Sequence, residues 1–167
     1  MTESITVRQL KPEEWALYKE LRLRALQADP LAFGSSHARE EGYADSEWQQ
    51  RLSRPDGAVF GVFLEGAPVG MTGIAVKKDE PGKARLWGTW LEKALRGQGL
   101  SRRLYAARLE WARARQGISC IEISHWKSNP VSGKAALGSG FVFTHEEEAL
   151  SSSGRREPQL FYELRLS

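Results

Sequence analysis

The clearest site chemistry in this sequence lies in one short segment that contains two glycines. Arg96-Gly97-Gln98-Gly99-Leu100-Ser101 separates a predicted strand from a strongly amphipathic predicted helix. A helix N-terminus has unpaired backbone N–H groups and the positive end of the helix dipole, so it binds anions. The two glycines permit close backbone approach, while Ser101 adds a hydroxyl donor and Arg96 and Arg102 add positive charge. We therefore predict that this segment, residues 96–101, is an anion site suited to a phosphate group, and we call it the phosphate segment.

Two established nucleotide-binding motifs are absent from the chain. There is no G-x-x-x-x-G-K-S/T, which excludes a P-loop. There is also no G-x-G-x-x-G after an early strand with an acidic residue about 20 positions later, which disfavours a dinucleotide fold. Taken alone, the phosphate segment has one other interpretation, a plain turn before a basic helix.

Hydrophobic periodicity predicts the elements that must position this segment. The predicted strands are residues 5–10, 58–64, 69–76, 84–91, 118–124, 141–144 and 160–166. The predicted helices are a segment from Pro12 to the stop at Asp29-Pro30, and residues 46–52, 101–115 and 131–139; residues 31–44 are predicted to be irregular and 151–156 to be a loop. This order predicts an α/β (α+β) fold with a mixed sheet and helices on its faces.

Composition limits the class of protein. The chain has 167 residues, of which 41% are hydrophobic and 27% charged, values typical of a soluble globular protein and not of a disordered one. A chain of this length buries about 70% of its surface on folding, so we expect a single domain over residues 1–167. No segment approaches the roughly 20 apolar residues of a membrane span, and the first ten residues lack a signal-peptide core.

Charge and cysteine content indicate the compartment and the kind of partner. Cys120 is the only cysteine, so an intramolecular disulfide is excluded and a reducing, cytoplasmic location is expected. A formal net charge of +3 suits an anionic small molecule and does not indicate a nucleic-acid partner. We expect the arginines of the predicted helix 101–115 to lie on its exposed side; they are Arg102, Arg103, Arg108, Arg113 and Arg115.

With the phosphate segment placed between a predicted strand and a predicted helix, the chain resembles the GNAT superfamily of N-acetyltransferases. The phosphate-binding motif of that family reads Q/R-x-x-G-x-G/A between the fourth strand and the third helix. Arg96, Gly99 and Ser101 stand at its three fixed positions, with serine in place of glycine or alanine.

A second family segment, N-x-x-A-x-x-x-Y-x-x-x-G-F, also has a counterpart. Asn129, Gly140 and Phe141 match it at the correct spacing, whereas Ser132 and Ala136 replace its alanine and tyrosine. The element order matches the family over essentially the whole chain, and residues 25–36 are similar to the start of many bacterial members.

This resemblance implies a fold and a cosubstrate. The sheet would have about seven mostly antiparallel strands, with the fourth and fifth splayed apart, and about four flanking helices. Acetyl-CoA would be the acetyl donor, and no metal is implied. Its pyrophosphate would lie on residues 97–102 and its pantetheine arm beside the backbone of Trp90 and Leu91, with Asn129 on the other side. The Leu91 N–H would polarise the thioester carbonyl.

The proton-transfer groups depart from the family pattern. Ser124 stands where the family often has a glutamate base, and Ala136 stands where it often has a tyrosine acid. His125, whose titration range suits proton transfer near neutral pH, and Glu92, which follows the fourth strand, are the substitute candidates. The alternatives are that His125 fills a packing position and that Glu92 is a solvated loop carboxylate.

The acceptor is expected to be a primary amine of a small molecule or peptide that attacks the thioester directly. The groups available to recognise it are Phe33, His37, Glu40, Glu41 and Tyr43, with Arg22 and Arg24 suited to an acidic acceptor. Because both usual catalytic residues are missing, a non-catalytic acyl-CoA-binding module or sensor is the alternative function. A homodimer formed through a sheet edge is compatible with this fold.

Overall fold

The computed structural model describes residues 4–151 and 154–166. Its strands are β1 (Ile5–Gln9), β2 (Gly57–Leu64), β3 (Ala67–Val76), β4 (Lys83–Leu91), β5 (Cys120–Trp126), β6 (Val142–Leu150) and β7 (Arg156–Arg165). Its α-helices are α1 (Trp15–Ala28), α2 (His37–Glu40), α3 (Asp45–Ser53), α4 (Ser101–Arg113) and α5 (Pro130–Gly138). Among the described residues, none of the helices has the length and apolar character that a membrane-spanning helix needs.

All seven strands form one sheet in the order β1-β2-β3-β4-β5-β7-β6. Every neighbouring pair is antiparallel except β4 and β5, which are parallel. These two strands pair only from Lys83–Arg85 to Cys120–Glu122, although β4 continues to Leu91 and β5 to Trp126. The predicted mixed sheet with splayed fourth and fifth strands is therefore confirmed.

The apolar core lies on both faces of the sheet, because successive side chains of a strand point to opposite faces. Helices α1 and α3 cover the first face, where the buried residues include Tyr18, Leu21, Trp48, Val59, Phe63, Met71 and Trp90. Helices α4 and α5 cover the second face, where they include Phe60, Ile74, Leu86, Tyr105, Ala112, Ile121 and Phe141. Helices therefore pack against both faces of the sheet and hold the strands on either side of the gap between β4 and β5.

Most predicted boundaries differ from the observed ones by one or two residues, and the largest differences are in the last two strands. Strands β6 and β7 both extend beyond their predicted ranges, since they pair along almost their whole length in a hairpin. The strand β6 is at the edge of the sheet and almost entirely exposed, so it has no hydrophobic alternation to mark it. Of the predicted loop at 151–156, Ser152 and Ser153 lie outside the described residues.

The segment 31–44, predicted to be irregular, contains the short helix α2. The Ser36 hydroxyl caps this helix by accepting a hydrogen bond from the Arg39 N–H at 3.2 Å. The carboxylate of Glu40, 1% exposed, accepts two hydrogen bonds from Arg22, at 3.0 and 3.1 Å, and one from Arg51 at 3.2 Å. This buried ion pair ties α2 to α1 and α3, which explains why a polar segment adopts regular structure.

We expect Glu40→Gln to lower the free energy of unfolding by about 3 kcal/mol, because it leaves the buried Arg22 without a counter-charge and Arg51 with only the exposed Glu47. Urea denaturation of the variant and of Glu41→Gln, an exposed carboxylate one residue later, would measure the difference. The control should change stability by less than about 1 kcal/mol. Equal stabilities for the two variants would contradict the structural role of Glu40.

The same ion pair predicts a pH dependence. Burial raises the pKa of Glu40, but the hydrogen bonds and charge of Arg22, together with the charge of Arg51, outweigh burial, so its pKa lies below the ordinary value. The stabilisation by Glu40 is therefore complete above the pKa of the unfolded state and is lost as pH falls through the lower folded pKa. The stability difference between wild type and Glu40→Gln should accordingly narrow in acid.

Candidate active site

The phosphate segment joins β4 to α4 through two glycines in the left-handed region of backbone space. Gly97 has φ +76° and Gly99 has φ +79°, and a Cβ built on either would meet no atom within 4 Å. The helix α4 then begins at Ser101 with no side-chain cap on its first turn, next to the exposed Arg102 and Arg103. Open space, uncapped N–H groups and positive charge together suit a bound phosphate group.

The Arg96 side chain turns away from the phosphate segment. Its Nε donates to the Leu91 carbonyl at 2.9 Å, and a terminal nitrogen donates to the Asp29 carboxylate at 2.6 Å. Gln98 likewise donates to the Ala94 carbonyl at 2.9 Å. These side chains hold the loop against the end of β4, so its backbone conformation is fixed before any ligand binds.

Asp29, predicted from the sequence only as a helix stop, lies at the candidate site. Its carboxylate accepts hydrogen bonds from Arg96 and from the Trp90 indole, the latter at 2.7 Å. The hydrogen bond from Arg96 is the main cause that holds the pKa of Asp29 below its ordinary value. One carboxylate therefore connects the end of α1, the end of β4 and the phosphate segment.

The backbone of Leu91 points into the gap between β4 and β5, whereas that of Trp90 does not. Leu91 lies opposite Gly70 of β3, and the Glu92 N–H donates to the Val69 carbonyl at 2.9 Å. This pattern makes Leu91 and Gly70 a non-hydrogen-bonded pair, so the Leu91 N–H is directed away from β3. The Trp90 backbone, opposite Met71, is directed at β3 instead.

A bulge interrupts β4 just before this point. Met71 pairs with Trp90 but Gly73 pairs with Trp87, so β4 has one extra residue, and Gly88 there has φ +68°. Next to this glycine, Thr89 is exposed, and its hydroxyl lies 2.7 Å from that of Thr72.

The prediction that Arg108 lies on the exposed side of its helix is wrong. It is 1% exposed and donates to the Thr89 hydroxyl at 3.2 Å. Arg108 stands four residues after Leu104 and four before Ala112, both buried, so helical spacing places it on the buried face. This spacing was the available signal, and a general expectation that arginine is exposed obscured it.

His125 is buried beneath α5 with both ring nitrogens hydrogen-bonded. Nδ1 lies 2.8 Å from the Trp126 carbonyl, which can only accept, so Nδ1 carries the hydrogen. Nε2 then accepts from the Tyr162 hydroxyl at 3.0 Å. A Cβ on Gly133 would lie 2.7 Å from Nε2, so α5 closes over the ring. This geometry favours a packing role over proton transfer.

The other candidate groups are also engaged. The Glu92 carboxylate forms an ion pair with Arg24, and the Ser124 hydroxyl accepts from Arg85 at 3.1 Å. Ala136 is completely buried, so its position supplies no group to the gap. Asn129 precedes α5, and its amide lies 3.5 Å from the Ser132 hydroxyl. In the described part of the chain, no three His, Cys, Asp or Glu side chains cluster in a way that could hold a metal.

A cavity of about 280 Å³ lies on the α1 face of the sheet. Its lining includes Arg22, Arg51, Arg54, Tyr18 and Trp87. The Arg22 guanidinium lies 5.9 Å from the Trp87 ring, and the fully buried Tyr18 hydroxyl has no hydrogen-bond partner among the described residues. The other groups expected on the acceptor side are either engaged, as Glu40 is, or lie in surface ion pairs, as His37 and Glu41 do.

Comparisons with known proteins give a consistent result. The model of a family described as Acetyltransferase (GNAT) matches residues 16–138. A GNAT-family acetyltransferase from Streptococcus pneumoniae has a similar structure, with a TM-score of 0.80 at 19% identity, covering 98% of this chain and 100% of the other. A comparison with curated proteins gives no match.

Two further solved structures bear titles that state what they act on or bind. One is an acetyl transferase from Salmonella typhimurium that modifies the N-terminal serine of a 50S ribosomal subunit protein (TM-score 0.75, 15% identity, 98% of this chain and 96% of the other). The other is a spermidine N-acetyltransferase from Vibrio cholerae in complex with CoA and spermine (TM-score 0.75, 13% identity, 96% and 95%). At these identities the likeness establishes the fold.

The burial of His125 gives a prediction. We expect His125→Ala to lower the free energy of unfolding by about 2–4 kcal/mol, because it opens a cavity and leaves the Tyr162 hydroxyl unpaired. The part of the pH–rate profile near neutral pH, called the neutral limb here, should be the same as in wild type. Denaturation and kinetics of the exposed variant His145→Ala provide the control. Loss of the neutral limb in a folded His125→Ala protein would identify His125 as the base instead.

Proposed function

Because the chain belongs to the GNAT family of acetyltransferases, we propose that it transfers an acetyl group from acetyl-CoA to a primary amine by direct attack of the amine on the thioester. The observation that carries this proposal is the phosphate segment at the start of α4, directly beside the gap between β4 and β5. An anion site and an open strand edge, side by side, suit a ligand that has a pyrophosphate at one end and an amide-containing arm.

The chain's own groups support a simple chemistry. Acetyl-CoA supplies an activated acetyl group, and the Leu91 N–H, directed into the gap, is placed to stabilise the developing oxyanion. Both ring nitrogens of His125 are hydrogen-bonded, to Trp126 and Tyr162, and the Glu92 carboxylate is paired with Arg24. The amine would therefore attack as the free base and release its proton to solvent. A thiol with a pKa of about 8.5 leaves as a thiolate without a dedicated acid.

The cavity on the α1 face favours an acceptor that bears a carboxylate. Three arginines line it, whereas the carboxylates paired with them, Glu40, Glu47 and the half-buried Asp56, do not. This charge balance suits an amino acid or an acidic peptide N-terminus better than a polyamine. Of the two acceptors named for similar structures, the protein N-terminus is thus the closer chemical precedent.

Cofactor binding can be tested by substitution in the phosphate segment. We expect Gly99→Glu to weaken CoA binding by at least about 100-fold, because the left-handed backbone disfavours a side chain and the new carboxylate repels phosphate. Isothermal titration calorimetry would measure it. Gly138→Glu makes the same change at the far end of α5, where space is open, and should bind CoA as wild type does. Retained affinity in Gly99→Glu would contradict the assigned pyrophosphate site.

A thiol-release assay over a panel of amines would test the reaction and the acceptor. We expect carboxylate-bearing amines to give a kcat/KM at least about tenfold above that of spermidine, and Arg54→Gln to reduce this preference. Arg39→Gln, an exposed arginine outside the cavity, is the matched control. A preference for polyamines would contradict the acceptor assignment. Tight CoA binding without turnover of any amine would favour the non-catalytic acyl-CoA-binding module.

A further inference from the structure

Arg108 is a buried cation without a carboxylate partner. Its Nε donates to the Leu104 carbonyl at 3.1 Å, and a terminal nitrogen lies 3.5 Å from the Gly73 carbonyl and 3.2 Å from the Thr89 hydroxyl. No ion pair of the described residues includes it, and burial lowers its pKa to about 10, so it stays charged at neutral pH. Burying a charge without a counter-ion costs several kcal/mol even where carbonyls, a hydroxyl and the Tyr105 ring lie beside it, and packing in α4 does not require the charge, since a methionine would fill similar space.

One hydroxyl group, that of Thr89, connects the Arg108 guanidinium to the gap between β4 and β5. Thr89 is exposed although it accepts a hydrogen bond from the buried guanidinium. It follows Gly88 in the bulge, beyond Arg85, the last residue of β4 that pairs with β5. Thr89 is therefore at the boundary between a buried positive charge and the open gap.

The hydrogen of Thr89 is available when Thr72 donates the bond between the two hydroxyls, and Thr72 is buried with no other hydrogen-bond partner among the described residues. The Thr89 oxygen has two acceptor lone pairs, and two donors lie close to it: Arg108 at 3.2 Å and the buried Thr72 hydroxyl at 2.7 Å. With Thr72 donating, both lone pairs are used and the Thr89 hydrogen is directed elsewhere. Donation from a charged guanidinium also polarises the hydroxyl and makes it a stronger donor.

The position of Thr89 along β4 fits the reacting end of the donor. The proposed pantetheine contact is at Leu91, near the open end of the gap, and each residue of a strand advances about 3.3 Å. Thr89 lies two residues, about 7 Å, further toward the closed end, so a thioester whose carbonyl accepts from the Leu91 N–H can have its sulfur within reach of Thr89. The position occupied by tyrosine in many relatives is the buried Ala136, which donates nothing.

We propose that the Thr89 hydroxyl is a catalytic hydrogen-bond donor to the leaving sulfur, and that Arg108 is the positioning residue that polarises it. This assignment rests on the proposed acetyl transfer. The amine nitrogen bonds to the carbonyl carbon, the C–S bond breaks and its electron pair passes to sulfur. The ammonium proton goes to solvent, and the thiolate accepts the hydrogen bond from Thr89 without taking its proton.

The pKa of the CoA thiol in its complex with the protein tests this directly, because a thiolate absorbs in the ultraviolet where a thiol does not. In wild type we expect a thiol pKa at least about one unit below the value of about 8.5 typical of a free thiol. Thr89→Val, which has the same shape without the hydroxyl, should restore the free value. It should also lower kcat about tenfold with the KM for acetyl-CoA unchanged. Thr89→Ser should behave as wild type.

Each outcome is decisive. A thiol pKa in the wild-type complex equal to that of free CoA, or a Thr89→Val complex identical to wild type, would overturn the assignment while leaving acetyl transfer intact. No CoA binding by wild type would overturn the proposed function and this assignment together. Arg108→Met should raise the thiol pKa as Thr89→Val does, and if it fails to fold, the two Thr89 variants still decide the question.

Discussion

The early end of pairing between β4 and β5 is the constraint on which the rest of the structure depends. After three residue pairs the two strands diverge, so the Leu91 N–H has no neighbouring strand on that side. Unpaired strand groups normally find a partner. An amide-containing chain that enters the gap can supply such a partner. The gap is therefore suited to binding one, because β4 and β5 do not pair with each other there.

Side-chain contacts on both strands keep this gap open. On the β4 side, Asp29 connects Trp90 to the phosphate segment, and the bulge at Gly88 bends the strand. On the β5 side, the contact between His125 and Tyr162 lies so close under α5 that Gly133 has no room for a Cβ. Movement of either strand toward the other would disturb these contacts, of which the hydrogen bond between His125 and Tyr162 is buried; a hydrogen bond contributes about 1 kcal/mol, and more is lost when a buried group is left unpaired.

The extent of sequence-based prediction follows from how local each signal is. Hydrophobic periodicity predicted the order of strands and helices along the chain, and the spacing of Gly97, Gly99 and Ser101 located the phosphate segment, since both depend on neighbouring residues, whereas the splay of β4 and β5 was predicted from the resemblance to the family. The polar edge strand β6 lacked periodicity, so its length was underestimated. The contact of Arg108 with Thr89 joins residues 19 apart through a bulge that no local pattern marks, and it was missed.

The missing carboxylate base and tyrosine acid need not mean missing catalysis. In a GNAT-type reaction the barrier lies in the charge that develops on the carbonyl oxygen and then on sulfur. In the proposed mechanism the Leu91 N–H and the Thr89 hydroxyl, with Arg108 behind it, act as fixed donors on one side of the gap. Donors that need no reorientation stabilise such charge most effectively where water is excluded. On this view the enzyme lowers the barrier by fixed electrostatics and leaves proton transfer to solvent.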